Sequence, residues 1–366
     1  MAHGLRRALV TLAALVAAPV ATASAQAPIE TNTYALVDAG HIAAPGNCTC
    51  IASPFNVLYR FGSRIIGGIS TPLSPVPGEP MVNLENLAED RRSLARRAEE
   101  GLAGDANASL SIGVQLSLES ALVGMREETE VEAARWLHLA ASQNHPDAFR
   151  MLGFRYFHGR GVPQNAVASA YWFQQGALRG DSISMVALGL RLASGNGVPQ
   201  NLEAAVRWWT RARGQSPLAA RFLGDAYACG FGVATEHARA VKEYKHAADA
   251  GELSSRTQLG HMYANNCAEG SDTAAVAAYE AAADLGDPEA QIAFSDMLRQ
   301  GRGTTQNPLR AYTYARVAEL RLPDGDLKTQ AADRAKSAAR QIPPEVLAMQ
   351  ERMVQSLVER PRSPQR

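Results

Sequence analysis

Two glycine-rich segments of almost the same sequence are the first residues in this chain that could support chemistry. Residues 158–165 read HGRGVPQN, and residues 194–201 read SGNGVPQN. Such a glycine pair can present backbone N–H groups to a phosphate, or it can turn the chain between two helices. A phosphate-binding loop would occur once, follow a strand and continue into Gly-Lys-Ser or Gly-Lys-Thr. No such continuation is present, and the pair recurs at positions 159/161, 195/197, 230/232 and 301/303, so the spacing predicts a structural turn.

Catalytic and metal-binding motifs do not occur at the spacings that their chemistry requires. The sequence contains no Gly-x-Ser-x-Gly and no His-Glu-x-x-His, and its eight histidines are scattered. The pair Cys48-Thr-Cys50 is too tight for the usual zinc spacing. Paired carboxylates such as Glu99-Glu100 fall on predicted helix ends or surface turns, where solvated charges are expected. We therefore predict no catalytic residue, no metal site and no cofactor.

The charge balance narrows the choice of partners. The chain has 36 basic and 36 acidic residues, which gives a formal net charge of zero. No excess of positive charge is available to bind a nucleic-acid backbone, so we predict no nucleic-acid partner. Alanine supplies much of the 46% hydrophobic fraction, whereas aromatic residues supply only 6%. This composition favours closely packed helices over strands.

The N-terminus has the pattern of an export signal. Residues 1–7 are short and basic, residues 8–20 are apolar, and Ala23-Ser24-Ala25 is a small-x-small cleavage site. This pattern predicts a Sec-type signal peptide over residues 1–25, cut after Ala25. No later stretch is apolar over 18 residues, so we predict no transmembrane segment. The expected location is the periplasm or the exterior of the cell.

A period of 35 or 36 residues organises the middle of the chain. One row is a dipeptide that weakens to Phe294-Ser295 in its last copy: Leu152-Gly153, Leu188-Gly189, Leu223-Gly224 and Leu259-Gly260. A second row is mostly aromatic: Leu137, Phe173, Trp209, Tyr244, Tyr279 and Tyr314. A third row lies four residues after the leucine: Tyr156, Leu192, Tyr227, Tyr263 and Leu298. Matched rows of this kind indicate a helical repeat, and their phase predicts that the aromatic row is core.

Each unit is predicted to be a pair of helices. In the unit that begins near Pro146, the first helix is expected over residues 147–158 and to end at Gly159, because glycine tolerates the left-handed conformation. Asn165 is the expected N-cap of the second helix, which runs to about Leu178. The missing side chain of Gly153 lets the paired helix approach closely. Neither helix can bury its apolar stripe alone, so the units must stack.

These residues resemble the Sel1-like repeat, a relative of the tetratricopeptide repeat. The shared pattern is Ala-x-x-Leu-Gly-x-x-Tyr-x-x-Gly-x-Gly-Val, followed by an aromatic and alanine-rich second helix. The resemblance implies an all-α fold: a right-handed α-solenoid of about six helix-turn-helix repeats with capping helices, preceded by an irregular Pro/Gly-rich arm. The expected boundaries are 1–25 for the signal peptide, 26–83 for the arm, 84–322 for the solenoid, 323–358 for the capping helices and 359–366 for a disordered tail.

Four cysteines remain after the predicted cleavage site: Cys48, Cys50, Cys229 and Cys267. An even count in an oxidising compartment predicts up to two disulfides. Cys229 and Cys267 fall in adjacent inter-helix loops, where a bridge between neighbouring units is the favoured pairing. Two unpaired and partly buried thiols are the alternative. The pair Cys48 and Cys50 is a candidate to clip the arm.

The resemblance to the tetratricopeptide family places a concave groove along the first helices. Its positions lie two before, two after and six after the leucine of the first row. They hold Arg150, Phe154, His158, Val186, Leu190, Ser194, Arg221, Asp225, Cys229, Thr257, His261, Asn265, Ile292, Asp296 and Gln300. One end is expected to be aromatic and basic, the middle apolar, and the far end polar and acidic. This mixture suits an extended peptide or a helix of a protein partner, although an ordinary solvated surface is the alternative.

The resulting hypothesis is an exported, non-enzymatic scaffold or adaptor, which we expect to be a monomer. The family resemblance implies roles in envelope assembly, exopolysaccharide export or periplasmic signalling. The alternative is a secreted enzyme that acts on β-lactam or cell-wall substrates. That enzyme would need a nucleophile beside a base, and the chain lacks the Ser-x-x-Lys, Ser-Asp-Asn and Lys-Thr-Gly triplets. A surface-acting virulence factor is a third possibility.

Overall fold

The computed structural model describes residues 91–122, 127–267 and 271–359, and within these ranges it contains fifteen α-helices and no strand. The predicted signal peptide, the arm with Cys48 and Cys50, and residues 360–366 lie outside the described residues. The helices form two compact units, divided between Asn201 and Leu202.

The first unit contains six helices: α1 (Arg91–Leu102), α2 (Ala106–Leu122), α3 (Glu127–Ser142), α4 (Pro146–His158), α5 (Ala166–Leu178) and α6 (Ser182–Ser194). The second unit contains nine: α7 (Leu202–Ala212), α8 (Pro217–Cys229), α9 (His237–Asp249), α10 (Leu253–Ala264), α11 (Asp272–Asp284), α12 (Pro288–Gln300), α13 (Pro308–Arg321), α14 (Asp326–Ala339) and α15 (Pro344–Glu359).

Helices that follow each other in sequence pack against each other from α1 to α6 in the first unit and from α7 to α14 in the second. Some contacts also join helices that are two apart in sequence: α4 with α6, α10 with α12, and α12 with α14. The last of these helices, α15, packs on α13. This is the packing of an all-α solenoid, in which each helix pair buries its apolar stripe against its neighbours. We call α2, α4, α6, α8, α10 and α12 the A helices, and the helix that follows each of them a B helix.

Local signals place the helix ends where the sequence predicts them. The Asn165 side chain accepts a hydrogen bond from the backbone N–H of Ala168 at 3.0 Å, which satisfies one of the free donors at the start of α5. At the end of α4, Gly159 has a φ of 70° and donates its N–H to the carbonyl of Arg155. The predicted first helix and its glycine stop are therefore confirmed.

The glycine of the Leu-Gly row is the site of closest approach between an A helix and its B helix. A Cβ on Gly153 would lie 2.6 Å from the ring of Phe173, and one on Gly224 would lie 2.6 Å from the ring of Tyr244. The aromatic ring of the second row thus lies directly on the glycine. Phe173, Tyr244 and the other aromatic residues of the row are buried, as predicted, with the exception of Tyr314.

Tyr314 differs from the rest of the row, and its unit has Ser295 at the position of the glycine. The side chain of Ser295 is buried and donates its hydroxyl to the carbonyl of Ile292 at 2.7 Å. The Tyr314 ring is only half-buried; it lies edge-on to Phe294, and its hydroxyl donates to Asp284 at 2.5 Å. The weakened last copy of the first row thus coincides with the one aromatic residue of the row that is not buried.

The second glycine of each pair holds the inter-helix loop against the preceding B helix. A Cβ on Gly161 would lie 2.0 Å from the carbonyl oxygen of Glu130, and one on Gly197 would lie 2.0 Å from that of Ala166. Gly232 makes the same approach to Leu202, and Gly303 to Asp272. The glycine pair is therefore a cap followed by a contact between consecutive helix pairs, and the predicted structural turn is confirmed.

The fourth unit keeps its two helices without this glycine pair. Helix α10 ends at Ala264, Asn266 takes a φ of 55°, and α11 begins at Asp272 behind the N-cap Ser271. Asparagine is one of the few residues that tolerates this left-handed conformation. Cys267 is half-buried in this loop, and neither it nor Cys229 is free. The disulfide predicted between Cys229 and Cys267 stays a prediction.

The C-terminal helices occupy the predicted positions. We expected helices over 326–340 and 344–358, and the structure has α14 and α15 there. Helix α15 is held to α13 by Glu351, which accepts hydrogen bonds from Tyr312 and Arg316, and by the fully buried Val354. No helix among the described residues combines the length and the apolar character needed to cross a membrane.

Candidate protein-interaction surface

In the first unit, four of the six predicted groove positions form a partly open surface on α4 and α6, whereas Val186 is buried and Arg150 is largely buried. Phe154 and Leu190 are half-buried, whereas His158 and Ser194 are exposed at the ends of the two helices. The Phe154 ring lies edge-on to Phe173, with 5.0 Å between ring centroids. Apolar side chains are therefore flanked by polar ones on adjacent A helices.

Two largely buried arginines, Arg150 and Arg191, lie on the same two helices as this surface. Arg150 is largely buried and forms an ion pair with Asp147 at 2.8 Å. The guanidinium of Arg191 lies 4.1 Å from the centroid of the Phe157 ring, and burial lowers its pKa to about 10. Burial, together with the positive charges of Arg160 and Arg191, lowers the pKa of His158. Its imidazole is therefore predominantly neutral at pH 7, and it can donate and accept hydrogen bonds to a partner.

A buried ion pair fixes the position of α4 against α3. Arg155 donates to the carboxylate of Glu130 at 2.8 Å, and both side chains are less than a tenth exposed. The same guanidinium donates to the carbonyls of Glu130 and Arg160 and to the hydroxyl of Ser117. Because Arg160 lies in the glycine loop, this arginine joins the loop, α2 and α3 to α4.

In the second unit, two predicted groove residues are buried. Arg221 has no exposed surface, and Asp225 is only 9% exposed. Tyr244 donates its hydroxyl to Asp225 at 2.8 Å, and an Arg221 nitrogen lies 3.4 Å from the other carboxylate oxygen. Burial raises the pKa of the Asp225 carboxyl, against the opposing effects of Arg221 and Tyr244. These residues are part of the interior rather than an open surface.

On α10, the next A helix, a histidine takes the place of the aspartate and lies against the buried tyrosine of the following B helix. The Nδ1 atom of His261 lies 2.7 Å from the Tyr279 hydroxyl, at hydrogen-bond distance. Burial lowers the pKa of His261 to about 4, although Asp287 opposes the shift. Thr257 is also buried, and Asn265 is half-buried at the end of α10. Of the predicted positions on α8 and α10, none is fully exposed.

The far end of the predicted groove is basic rather than acidic. Asp296 on α12 accepts from Arg334 of α14 at 2.6 Å and from Arg299 at 3.3 Å. An open pocket of about 500 Å³ lies between these two helices, and Lys336 and Arg340 also line it. The expectation of a polar and acidic end considered only the groove positions of α12 and did not include the side chains of α14.

The residues of α14 were missed because we assigned that helix to a cap. A signal was nevertheless present in the sequence: α14 begins at Asp326, 38 residues after α12 begins at Pro288. This interval is close to the repeat length, so α14 occupies the place of a further A helix. The apolar positions that mark an A helix are alanines here, including the buried Ala331 and Ala335, which hid the pattern.

Across residues 91–122, 127–267 and 271–359, no group of three or more histidine, cysteine, aspartate or glutamate side chains is arranged to hold a metal ion. The polar side chains of the surface instead form pairs with each other, as in Asp296 with Arg334.

Comparison with known proteins identifies the repeat. The Sel1 repeat family model matches residues 130–145, 146–181, 182–215, 217–252 and 288–318. The gap between the last two matches coincides with the unit that lacks the glycine pair. The structure shows the same pair of helices in that gap, α10 and α11. No curated protein matches the chain.

Two solved structures resemble this fold. One is a protective antigen present in uropathogenic Escherichia coli strains that displays a Sel1-like repeat fold, with 27% identity and a TM-score of 0.57. The match covers 68% of this chain but only 56% of the antigen's length. The other is a Sel1 repeat protein from Oxalobacter formigenes, with 25% identity, a TM-score of 0.51 and coverage of 57% of this chain and 84% of that one.

Proposed function

We propose that this chain, in which the Sel1 repeat model matches five segments between residues 130 and 318, is an exported, non-enzymatic scaffold that binds a protein partner along its A helices. Sel1 repeat proteins generally act as protein-interaction scaffolds, and the family is typically non-catalytic. Export is supported by the signal-peptide pattern of residues 1–25. Envelope assembly, exopolysaccharide export and periplasmic signalling are the roles that the family resemblance favours.

One observation carries the choice of binding surface. Phe154 on α4 and Leu190 on α6 are half-buried on adjacent A helices, and the exposed His158 and Ser194 lie one turn further along. An extended segment or a helix of a partner can bury the two apolar groups and hydrogen-bond to the polar ones. Burial of such a central apolar cluster inside a polar rim is the usual source of binding energy at protein interfaces.

Photo-crosslinking tests this surface without disturbing the core. A photoreactive phenylalanine analogue is placed at the exposed Ser194 and, as the control, at the exposed Tyr171 on the B helix α5. We expect Ser194 to yield a discrete adduct in the envelope fraction, which mass spectrometry identifies, and we expect Tyr171 to yield none. An adduct from Tyr171 alone would place the partner on the B helices rather than the A helices and refute the proposed surface.

Substitution provides the second arm of this test. The Phe154→Ser, Leu190→Ser double variant is expected to abolish the Ser194 adduct. The control Val167→Ser, Tyr171→Ser on α5 removes two exposed apolar groups outside the surface and should preserve the adduct. Helix content by circular dichroism confirms that both variants are folded. Cell fractionation with the native signal tests export, which is contradicted if the chain stays in the cytoplasm with residues 1–25 uncut.

A further inference from the structure

The pocket between α12 and α14 has the chemistry of an anion-binding site. Four cationic side chains line it, from Arg299, Arg334, Lys336 and Arg340, and they face two carboxylates, from Asp296 and Asp333. Its volume of about 500 Å³ lies within the range of known ligand pockets. The lining thus carries an excess of two positive charges, four minus two.

Only some of the charged side chains that line the pocket form ion pairs with each other. Asp296 is held between Arg334, at 2.6 Å, and Arg299, at 3.3 Å, so these three lining side chains are paired with each other. Lys336 and Arg340 are exposed and make no ion pair within the part of the chain that the structure describes. They are the groups available to an incoming anion.

The C-terminal ends of α12 and α14 influence which anions the pocket favours. Helices α12 and α14 end at Gln300 and Ala339, beside the pocket, and a helix C-terminus carries about half a negative charge on its free carbonyls. These partial charges offset part of the excess positive charge and disfavour two negative charges concentrated on one group, as in a phosphate dianion. Singly charged carboxylates match the remaining field, and a guanidinium fork binds a carboxylate through two hydrogen bonds.

We propose that this pocket binds acidic side chains of an extended peptide segment of the protein partner. The proposal rests on the scaffold function and names the chemistry of the partner at this end of the second unit. Lys336 and Arg340 pair with glutamate or aspartate carboxylates of that segment. The amide of Gln300 and the hydroxyl of Ser337, which also line the pocket, hydrogen-bond to its backbone.

The variant that tests the pocket is Lys336→Glu, Arg340→Glu, which reverses the two available charges and leaves the Asp296 bridge intact. Its matched control is Lys242→Glu, Lys245→Glu on α9, which changes the net charge equally at two exposed positions. The probes are a fluorescein-labelled peptide of ten residues rich in glutamate and the same peptide with glutamine in place of glutamate. Binding to the full chain is measured by fluorescence anisotropy at about 150 mM salt, where charges on distant surfaces are screened.

We expect the acidic peptide to bind the parent and the α9 control with equal affinity and the pocket variant at least tenfold more weakly. The glutamine peptide should bind none of them. Equal binding of the acidic peptide to the pocket variant and the parent would overturn the proposal. Specific displacement of the peptide by inorganic phosphate, beyond the effect of chloride at equal ionic strength, would overturn the choice of carboxylate.

The outcome is separable from that of the scaffold function. If the Ser194 adduct forms and the acidic peptide fails to bind, the scaffold stands and the pocket proposal falls. If the peptide binds in the pocket and no adduct forms at Ser194, the surface in the first unit is wrong while the pocket remains.

Discussion

At the residue scale, the aromatic residue of each B helix matches the polarity of the A-helix residue that faces it. Where the B helix supplies a tyrosine, the A-helix residue two positions after the leucine is polar, as in Tyr244 with Asp225 and Tyr279 with His261. Where it supplies Phe173, the facing residue is Phe154. The hydroxyl needs a partner when it is buried, so the polar residue turns inward and is lost to the groove.

The buried histidine predicts a pH dependence of stability. Burial lowers the pKa of His261 in the folded chain to about 4, below its ordinary value of 6.5. Between these two values the unfolded chain binds a proton that the folded chain does not, so stability falls as the pH drops from 6.5 towards 4. One pKa unit corresponds to about 1.4 kcal/mol, so the fall of the His261 pKa from 6.5 to about 4 limits the loss of stability to about 3.4 kcal/mol.

The measurement is urea unfolding at pH 7 and pH 4.5. His261→Gln removes the titrating group and keeps a hydrogen-bonding amide for Tyr279, so the variant should lose less stability than the parent over this interval. His237→Gln, at the start of α9, is the matched control and should follow the parent. Parallel losses in the parent and in His261→Gln would show that another group governs the acid sensitivity.

At the element scale, the glycine loops join consecutive helix pairs. The first glycine ends the A helix, and the second lets the loop backbone touch the start of the preceding B helix. A loop with a side chain at the second position could not approach this closely. The contact is therefore as much a part of the stacking as the apolar core is, and it recurs after α4, α6, α8 and α12.

Two alanine substitutions isolate the energy of this contact. Gly197 and Gly180 both have positive φ, 83° and 95°, but only Gly197 has a neighbour, the Ala166 carbonyl at 2.0 Å from an added Cβ. Gly180→Ala should cost about 1–2 kcal/mol from backbone strain alone. Gly197→Ala should cost about 1–3 kcal/mol more, because the loop and α5 have to separate.

Unfolding of the two variants in urea, compared with the parent, gives these costs directly. Equal destabilisation by Gly197→Ala and Gly180→Ala would mean that the loop moves away from α5 at no cost. The stacking role of the second glycine would then be refuted, while its role in the turn would remain.

At the scale of the whole molecule, stability is a sum of local interfaces. Within each unit, the contacts join helices that are one or two apart in sequence, so a change at one place should weaken those helices and leave distant ones unchanged. Helix α15 ends the series by covering α13, and its outward side is exposed at Met349, Met353 and Leu357. It therefore acts as a terminal cover with one buried side.

Removal of this cover gives a testable pattern. A chain that ends at residue 343 lacks the Glu351 contacts to Tyr312 and Arg316 and the buried Val354. We expect hydrogen exchange to accelerate at least tenfold in α13 and to be unchanged in α4. A chain that ends at residue 359 is the control and should match the parent. Equal acceleration in α13 and α4 would instead indicate one cooperative core.

The sequence by itself determined the repeat, its helices, its turns and its buried aromatic row. These features follow from local propensity and from a period that is set by one helix pair, so glycines, caps and apolar spacing are enough to place them. The Leu-Gly dipeptide and Asn165 were therefore read correctly. The family resemblance predicted the groove positions only from their spacing relative to the leucine of the first row.

Only the tertiary structure decided which of those positions a partner can reach. Register gives the side of a helix on which a residue lies, but exposure depends on the neighbouring helix. Tyr244 draws Asp225 inward, and Arg334 of α14 makes the end at Asp296 basic. Burial and net charge at a surface are sums over several elements, which no single repeat encodes.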